Sequence, residues 1–213
     1  MKKNIFLILC FLIGSRTIFA QDQEEMLENN PGVTFGLFAE LGAVAEADHR
    51  VKAKLQLGYE FYPIKKMKKL AMELQIGFIK DNYADKNWLY IDNYFSYMIY
   101  TYYLTASPKL IYPLSKELAL FVNNDFSIGL PTAGSLYFET KQNNSLKRTM
   151  PMFIYGVNAG VKLSGRPTTY FSVGYSTYNI HKLLIKNTPS KYSDKLPNLN
   201  SSIWVGINLF FGY

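Results

Sequence analysis

Ser202-Ile203-Trp204-Val205-Gly206-Ile207-Asn208-Leu209-Phe210-Phe211-Gly212-Tyr213 closes the chain, and its two-residue period decides the fold. Ile203, Val205, Ile207, Leu209, Phe211 and Tyr213 fall on one side, while Ser202, Trp204, Gly206, Asn208 and Gly212 fall on the other. Successive side chains of an extended strand point to opposite faces, so the segment reads as a strand with one apolar face and one face of mostly small or polar residues.

The same grammar recurs upstream. Val33, Phe35, Leu37, Ala39, Leu41 and Ala43 alternate with Thr34, Gly36, Phe38, Glu40 and Gly42. Val51, Ala53, Leu55, Leu57, Tyr59 and Phe61 alternate with Lys52, Lys54, Gln56, Gly58 and Glu60, and Pro63 ends that run. Leu70, Met72, Leu74, Ile76 and Phe78 alternate with Ala71, Glu73, Gln75, Gly77 and Ile79. A Tyr-rich fourth run, Tyr97 to Tyr112, sets Leu104, Ala106, Pro108 and Leu110 against Thr105, Ser107 and Lys109. Pro108 has no N–H for a ladder, which predicts a bulge or local break there. The fifth run, Leu118 to Leu130, carries Asp125 on its polar side and Asn124 as a misfit on its apolar side. Phe153 to Leu163 with inward Lys162, and Phe171 to Thr177, complete a set of eight strands.

The connections alternate in length. Those after the second, fourth and sixth strands are short (63–69, 113–116, 164–167), whereas Lys80 to Ser96, Pro131 to Met150 and Ile180 to Asn200 are long and polar. Such alternation, with strands of membrane-spanning length, predicts an all-β fold: an eight-stranded antiparallel up-and-down transmembrane β-barrel with short periplasmic turns.

A soluble carrier barrel also alternates, but it buries its apolar face. Here the apolar face holds Leu, Ile, Val, Phe and Tyr in numbers that would overfill the narrow interior of eight strands. Glu40, Lys52, Lys54, Glu60, Glu73, Lys109, Asp125 and Lys162 all lie on the opposite, small-residue face. Facing lipid, a midplane lysine would cost about 2–4 kcal/mol; facing a lumen, these acids and bases pair into a structural network. With Phe38, Phe121 and Trp204 also pointing inward, the lumen is predicted to be occluded. Phe61, Tyr112, Tyr155, Tyr170, Tyr178 and Tyr213 sit at run ends, where aromatic girdles meet lipid headgroups.

Composition agrees: charged residues make up 18 % of 213, against about 25 % in soluble domains. Met1-Lys2-Lys3, the apolar run Ile5 to Ile13 and Ile18-Phe19-Ala20 read as a signal peptide over 1–20, cleaved before Gln21. Residues 21–32 then form an acidic periplasmic tether, and 33–213 the barrel. Acylation of Cys10, the rival reading of the leader, calls for a small residue before it, and Leu9 is not one. Cleavage removes the sole cysteine, and with it any disulfide or thiolate metal site. Discounting Lys2, Lys3 and Arg16 leaves 20 basic against 16 acidic residues, too even a balance for a nucleic-acid partner.

Leu209, Phe211 and Tyr213 resemble the carboxy-terminal strand of outer-membrane proteins, whose final aromatic is read by the barrel-insertion machinery. Across 33–213 the layout resembles the porin-family or PorT-like outer membrane protein beta-barrel group, and more distantly the OmpA and OmpX barrels. The resemblance implies residence in the outer membrane of a Gram-negative envelope. It implies lipid and lipopolysaccharide as surroundings, and periplasmic chaperones with the insertion machinery as partners. Neither the peptidoglycan-binding domain of full-length OmpA-type proteins nor a plug is expected from this layout.

No cofactor motif is present. His49 and His181 stand near predicted extracellular strand ends, where a lipid A-modifying enzyme would place a base, but no Ser follows His181 closely, Asp48 beside His49 reads as an ordinary loop pair, and a triad requires convergence in space. The lysines of the His181–Asn200 loop read as a solvated surface. The expected role is structural, or one of interaction through extracellular loops whose partner the residues do not name. A lipid A-modifying enzyme and a soluble periplasmic carrier are the alternatives.

Overall fold

The computed structural model describes residues 30–40, 49–64, 66–67, 69–84, 95–138, 141–143, 149–187 and 201–212, with the backbone alone at 49–50, 84, 95, 133–138 and 141–143. The leader, most of the tether, Leu41 to Ala43 and Tyr213 lie outside these residues.

Eight long strands form the wall: β1 (Gly32–Glu40), β2 (His49–Phe61), β3 (Leu70–Ala84), β4 (Phe95–Pro113), β5 (Leu118–Phe138), β7 (Met152–Leu163), β8 (Thr168–Ser176) and β9 (Ser202–Gly212). A short strand, β6 (Lys141–Asn143), folds back on the end of β5, pairing Leu136↔Asn143 to Phe138↔Lys141. Every neighbouring pair is antiparallel, in the order β4-β3-β2-β1-β9-β8-β7-β5, and β4–β5 pairing returns the sheet to its start. First and last strands seal along Gly32↔Gly212 to Glu40↔Trp204. A closed sheet leaves no unpaired edge in its wall.

One end of the barrel holds the chain ends of β1 and β9 and the tight turns after β2, β4 and β7. The other holds the strand ends from which the long connections leave. Alternation is preserved throughout: Phe35, Leu37, Leu57, Ile76, Leu104, Ile128, Val173 and Ile207 are exposed, while Thr34, Gln56, Gln75, Thr105, Ser127, Ser172 and Asn208 are buried. Close backbone approach explains two inward glycines. A side chain at Gly206 would enter the Phe38 ring, and one at Gly160 would meet the Phe171 carbonyl.

Several expectations need correction. Lys80–Ser96 and Pro131–Met150 are not loops throughout: β3 runs on to Ala84, β4 begins at Phe95, and β5 reaches Phe138. Polar inward residues such as Asp81 make strand look like loop. The alternation in fact continues through buried Ile79, Asp81 and Tyr83. Gly32 begins β1 rather than ending the tether. The break expected at Pro108 is present: pairing between β4 and β5 runs to Ala106↔Phe126 and resumes at Lys109↔Asn123 in the same register. A register shift lies elsewhere, between Ile99 and Tyr100.

Tyr170 and Tyr178 are not girdle residues. They are 1 % and 0 % exposed, inside the barrel, because their parity matches Ser172 and Ser176 rather than Phe171. Asn124 is reconciled to the outer face by Tyr155, whose hydroxyl donates to its Oδ1 at 2.8 Å.

The largest difference is a plug. After β8 the chain forms a helix, α1 (His181–Asn187), whose Leu183 and Leu184 are buried together with Tyr178 and Ile180. They pack among Ile79, Tyr83, Tyr97, Ile99, Tyr103, Ile154 and Trp204, an apolar ring at the long-connection end of the lumen.

Candidate functional site

Among the described residues the wall gathers its charge in the lumen, where side chains stack in levels. Near the turn end, β2, β3 and β4 bring Glu60, Glu73 and Lys109 together. Lys109 Nζ lies 2.5 Å from Glu60 Oε2 and 2.8 Å from Glu73 Oε2, with all three side chains at most 2 % exposed. Burying such charges is costly unless the remaining lone pairs are filled. They are filled: Thr34 and Asn208 donate to Glu73 Oε1 at 2.5 and 3.3 Å, and Tyr170 and Tyr62 donate to Glu60 Oε1 at 3.0 and 3.1 Å. The Lys109 ammonium also sits 4.3 Å from the Tyr170 ring centroid. Lys162, buried beside this knot, lies 5.6 Å from the same ring and pairs with no carboxylate among the described residues.

At mid-height, Asp125 accepts from Ser107 at 2.6 Å and Asn123 at 2.7 Å through Oδ1, and from Asn158 at 2.8 Å through Oδ2. Lys54 stands 3.7 Å from Asp125 Oδ2, a looser pair with side chains 14 % and 10 % exposed. Higher still, Lys52 Nζ lies 2.9 Å from Glu40 and 3.8 Å from Asp81, and donates to Ser202 Oγ at 2.5 Å. Tyr178 and Trp204 flank it, with ring centroids 4.8 and 5.5 Å away. Trp204 is held in turn by its Nε1–H, which donates to Ser176 Oγ at 2.8 Å.

All eight charged residues singled out from the sequence thus line one interior, seven of them in three ion-paired groups and Lys162 beside the first. Sequence reasoning missed Asp81, which fell in an expected loop, and the neutral partners Thr34, Tyr170, Asn158 and Asn208. Counting parity onward from Glu73 would have found Asp81.

His49 begins β2, and its side chain lies outside the described set. His181 opens α1 half-buried, its backbone N–H donating to Asn179 Oδ1 at 2.8 Å. Among the described residues no group of three or more His, Cys, Asp or Glu is placed to hold a metal ion. Leu209 and Phe211 face outward on β9 beside β1, paired with Phe35 and Val33.

Fold and interior together define a class: a closed eight-stranded antiparallel barrel, polar and ion-paired inside and apolar outside, the reverse of a soluble carrier. No protein-family model matches the chain, and no curated protein does. Among solved structures it is similar to a major outer membrane protein from Thermus thermophilus at 11 % identity, covering 85 % of this chain and 99 % of that one with a TM-score of 0.48. Ail, the attachment invasion locus protein of Yersinia pestis, is similar at 12 % identity, 86 % and 99 % coverage and a TM-score of 0.44. Neisserial surface protein A is similar at 11 % identity, 85 % and 96 % coverage and a TM-score of 0.44.

Proposed function

We propose that the chain is an integral outer-membrane barrel with a structural role or a role in interaction through its loops. Its lumen is closed at rest, and it uses neither cofactor nor catalysis. The observation that carries the reading is the outward belt. Leu37, Ile76, Leu104, Leu110, Ile128, Phe153, Val173 and Ile203 are all at least half exposed on a continuous sheet. Soluble monomers rarely leave contiguous apolar patches above a few hundred Å² in water. Phe61, Tyr112 and Tyr155 supply aromatic rings toward strand ends, in keeping with an interfacial girdle.

Cell fractionation with gel mobility before and after boiling tests the location. The protein should co-fractionate with the outer membrane and shift on heating; a soluble, unshifting protein would contradict it. In planar bilayers, purified barrel should give no large stable conductance, because Phe38, Phe121, Trp204 and the ion-paired levels fill the interior. Stepwise nanosiemens openings would overturn the closed lumen.

The terminal strand supplies a further expectation. Loss of the Tyr213 ring removes only about 2–3 kcal/mol of burial, yet β9 must seal to β1 or both edges face hydrocarbon. Deleting Tyr213 should therefore lower outer-membrane levels sharply, measured by immunoblot of the fraction, while Tyr192→Asp leaves them nearly unchanged. Equal, mild effects would dismiss Leu209, Phe211 and Tyr213 as an insertion signal.

A further inference from the structure

We propose that the outer wall around Lys80 is a seat for one phosphorylated, multi-chain lipid of the outer leaflet, its phosphate on the lysine ammonium and its acyl chains in the wall grooves that meet there. This rests on the membrane-barrel reading above and names a partner for the wall.

The first observation is an exception to the charge pattern. Among the described side chains of the eight long strands, every charged one but Lys80 turns into the lumen. Ile79 and Asp81 on either side of it are 3 % and 0 % exposed, so parity sends Lys80 outward, onto the face of Leu74 and Ile76. It is half-buried and pairs with no carboxylate among the described residues.

The second observation is depth. Lys80 is aligned with Ala53 on β2 and Tyr100 on β4, and Tyr100 with Thr132 on β5. Asn82 takes the next outward position of β3. Along β4 the outward positions from Tyr112, by the turns, up to Tyr100 climb about 30 Å, at about 3.3 Å per residue on a strand tilted by about 40°. An apolar band is about 25 Å tall. Lys80, Asn82, Tyr100 and Thr132 therefore stand at headgroup depth on the long-connection side.

The third observation is what flanks the lysine. Leu55, Ile76, Phe78, Tyr102, Leu104 and Ile128 line an open apolar groove of about 580 Å³. Its upper residues Leu55, Phe78 and Tyr102 follow directly below Ala53, Lys80 and Tyr100 on their strands. Ala53 also edges a second groove of about 610 Å³, which runs past small Ala39 and Ala159 beside Leu37, Phe171 and Val205. Both have the volume of small-ligand sites. A lysine at headgroup depth attracts anionic lipid, and apolar grooves on both sides of it favour a lipid with more than one chain.

Native mass spectrometry of the purified barrel, released from detergent, tests the seat. It counts copies of lipid A retained per barrel, with dephosphorylated lipid A as the probe of the chains alone. The unaltered barrel should retain one lipid A and bind the dephosphorylated form about fivefold more weakly. Lys80→Met should weaken lipid A about fivefold and leave the dephosphorylated form unchanged. Lys182→Met, at an exposed cation on the same end of the barrel, should change neither. Ile76→Trp, which fills the first groove, should weaken both; heat-dependent gel mobility confirms each fold, and Lys80→Met decides alone if that variant does not fold. Equal retention of the two lipids, or equal effects of Lys80→Met and Lys182→Met, would overturn the seat. A dimer that forms without lipid and is lost in Ile76→Trp would assign the groove to a second copy and overturn it too. A chain that gives no heat-shifted barrel in detergent fails earlier, on the membrane reading itself.

Discussion

Replacing Lys109 by Met is expected to destabilise the folded barrel by about 3–5 kcal/mol, because it strands two carboxylates in the interior. Glu60 and Glu73 are 0 % and 1 % exposed and share this one ammonium. The triple variant Lys109→Met, Glu60→Gln, Glu73→Gln should recover most of the loss, since Thr34, Tyr170, Tyr62 and Asn208 still offer partners to neutral amides. Lys54→Met should cost far less: its pair with Asp125 is long and still partly solvated, and Asp125 keeps three neutral donors. Urea titration of reconstituted protein, read by the mobility difference between folded and unfolded forms, measures all three. A Lys109→Met barrel as stable as Lys54→Met would show that the knot is ornamental to folding.

On the outer face, Leu104→Arg should be nearly as damaging. Leu104 is 59 % exposed and lies between Ile76 and Ile128 in the middle of the belt. An arginine there costs about 2–4 kcal/mol if lipid surrounds it, and about 0–1 kcal/mol near an interface. Leu163→Arg, at the turn end of β7, should therefore be mild. In water both changes would be close to neutral. The same titration separates the cases, and equal, small effects at the two depths would speak against a bilayer.

The wall of this barrel is legible in the sequence because one rule, side-chain parity, governs it everywhere. Leu104 and Thr105, or Val173 and Ser172, take opposite faces whatever their distant partners are. The lumenal charges are legible for the same reason. Parity reads faces but not ends, which is where the sequence misleads. Asp81 and Ser96 are strand residues that look like loop, because a polar inward face and a polar loop have the same composition. Tyr170 and Tyr178 look like girdle by residue type, although parity has already turned them inward.

The plug helix needs the other period. Ile180, Leu183 and Leu184 have helical spacing inside a stretch otherwise rich in lysine. Nothing local says that their apolar side meets a ring assembled from β3, β4, β7 and β9. That ring exists only once the barrel has closed.

The most direct test of the inside-out arrangement is tryptophan quenching by lipids brominated along their acyl chains. In a Trp88→Phe chain reconstituted into such bilayers, native Trp204, 4 % exposed and bonded to Ser176, should be quenched weakly. In a Trp88→Phe, Trp204→Phe chain carrying Leu104→Trp, the new indole should be quenched strongly, most of all by bromines near the bilayer centre. Strong quenching of Trp204 with a water-exposed, unquenched indole at 104 would contradict an apolar wall facing lipid around a polar lumen.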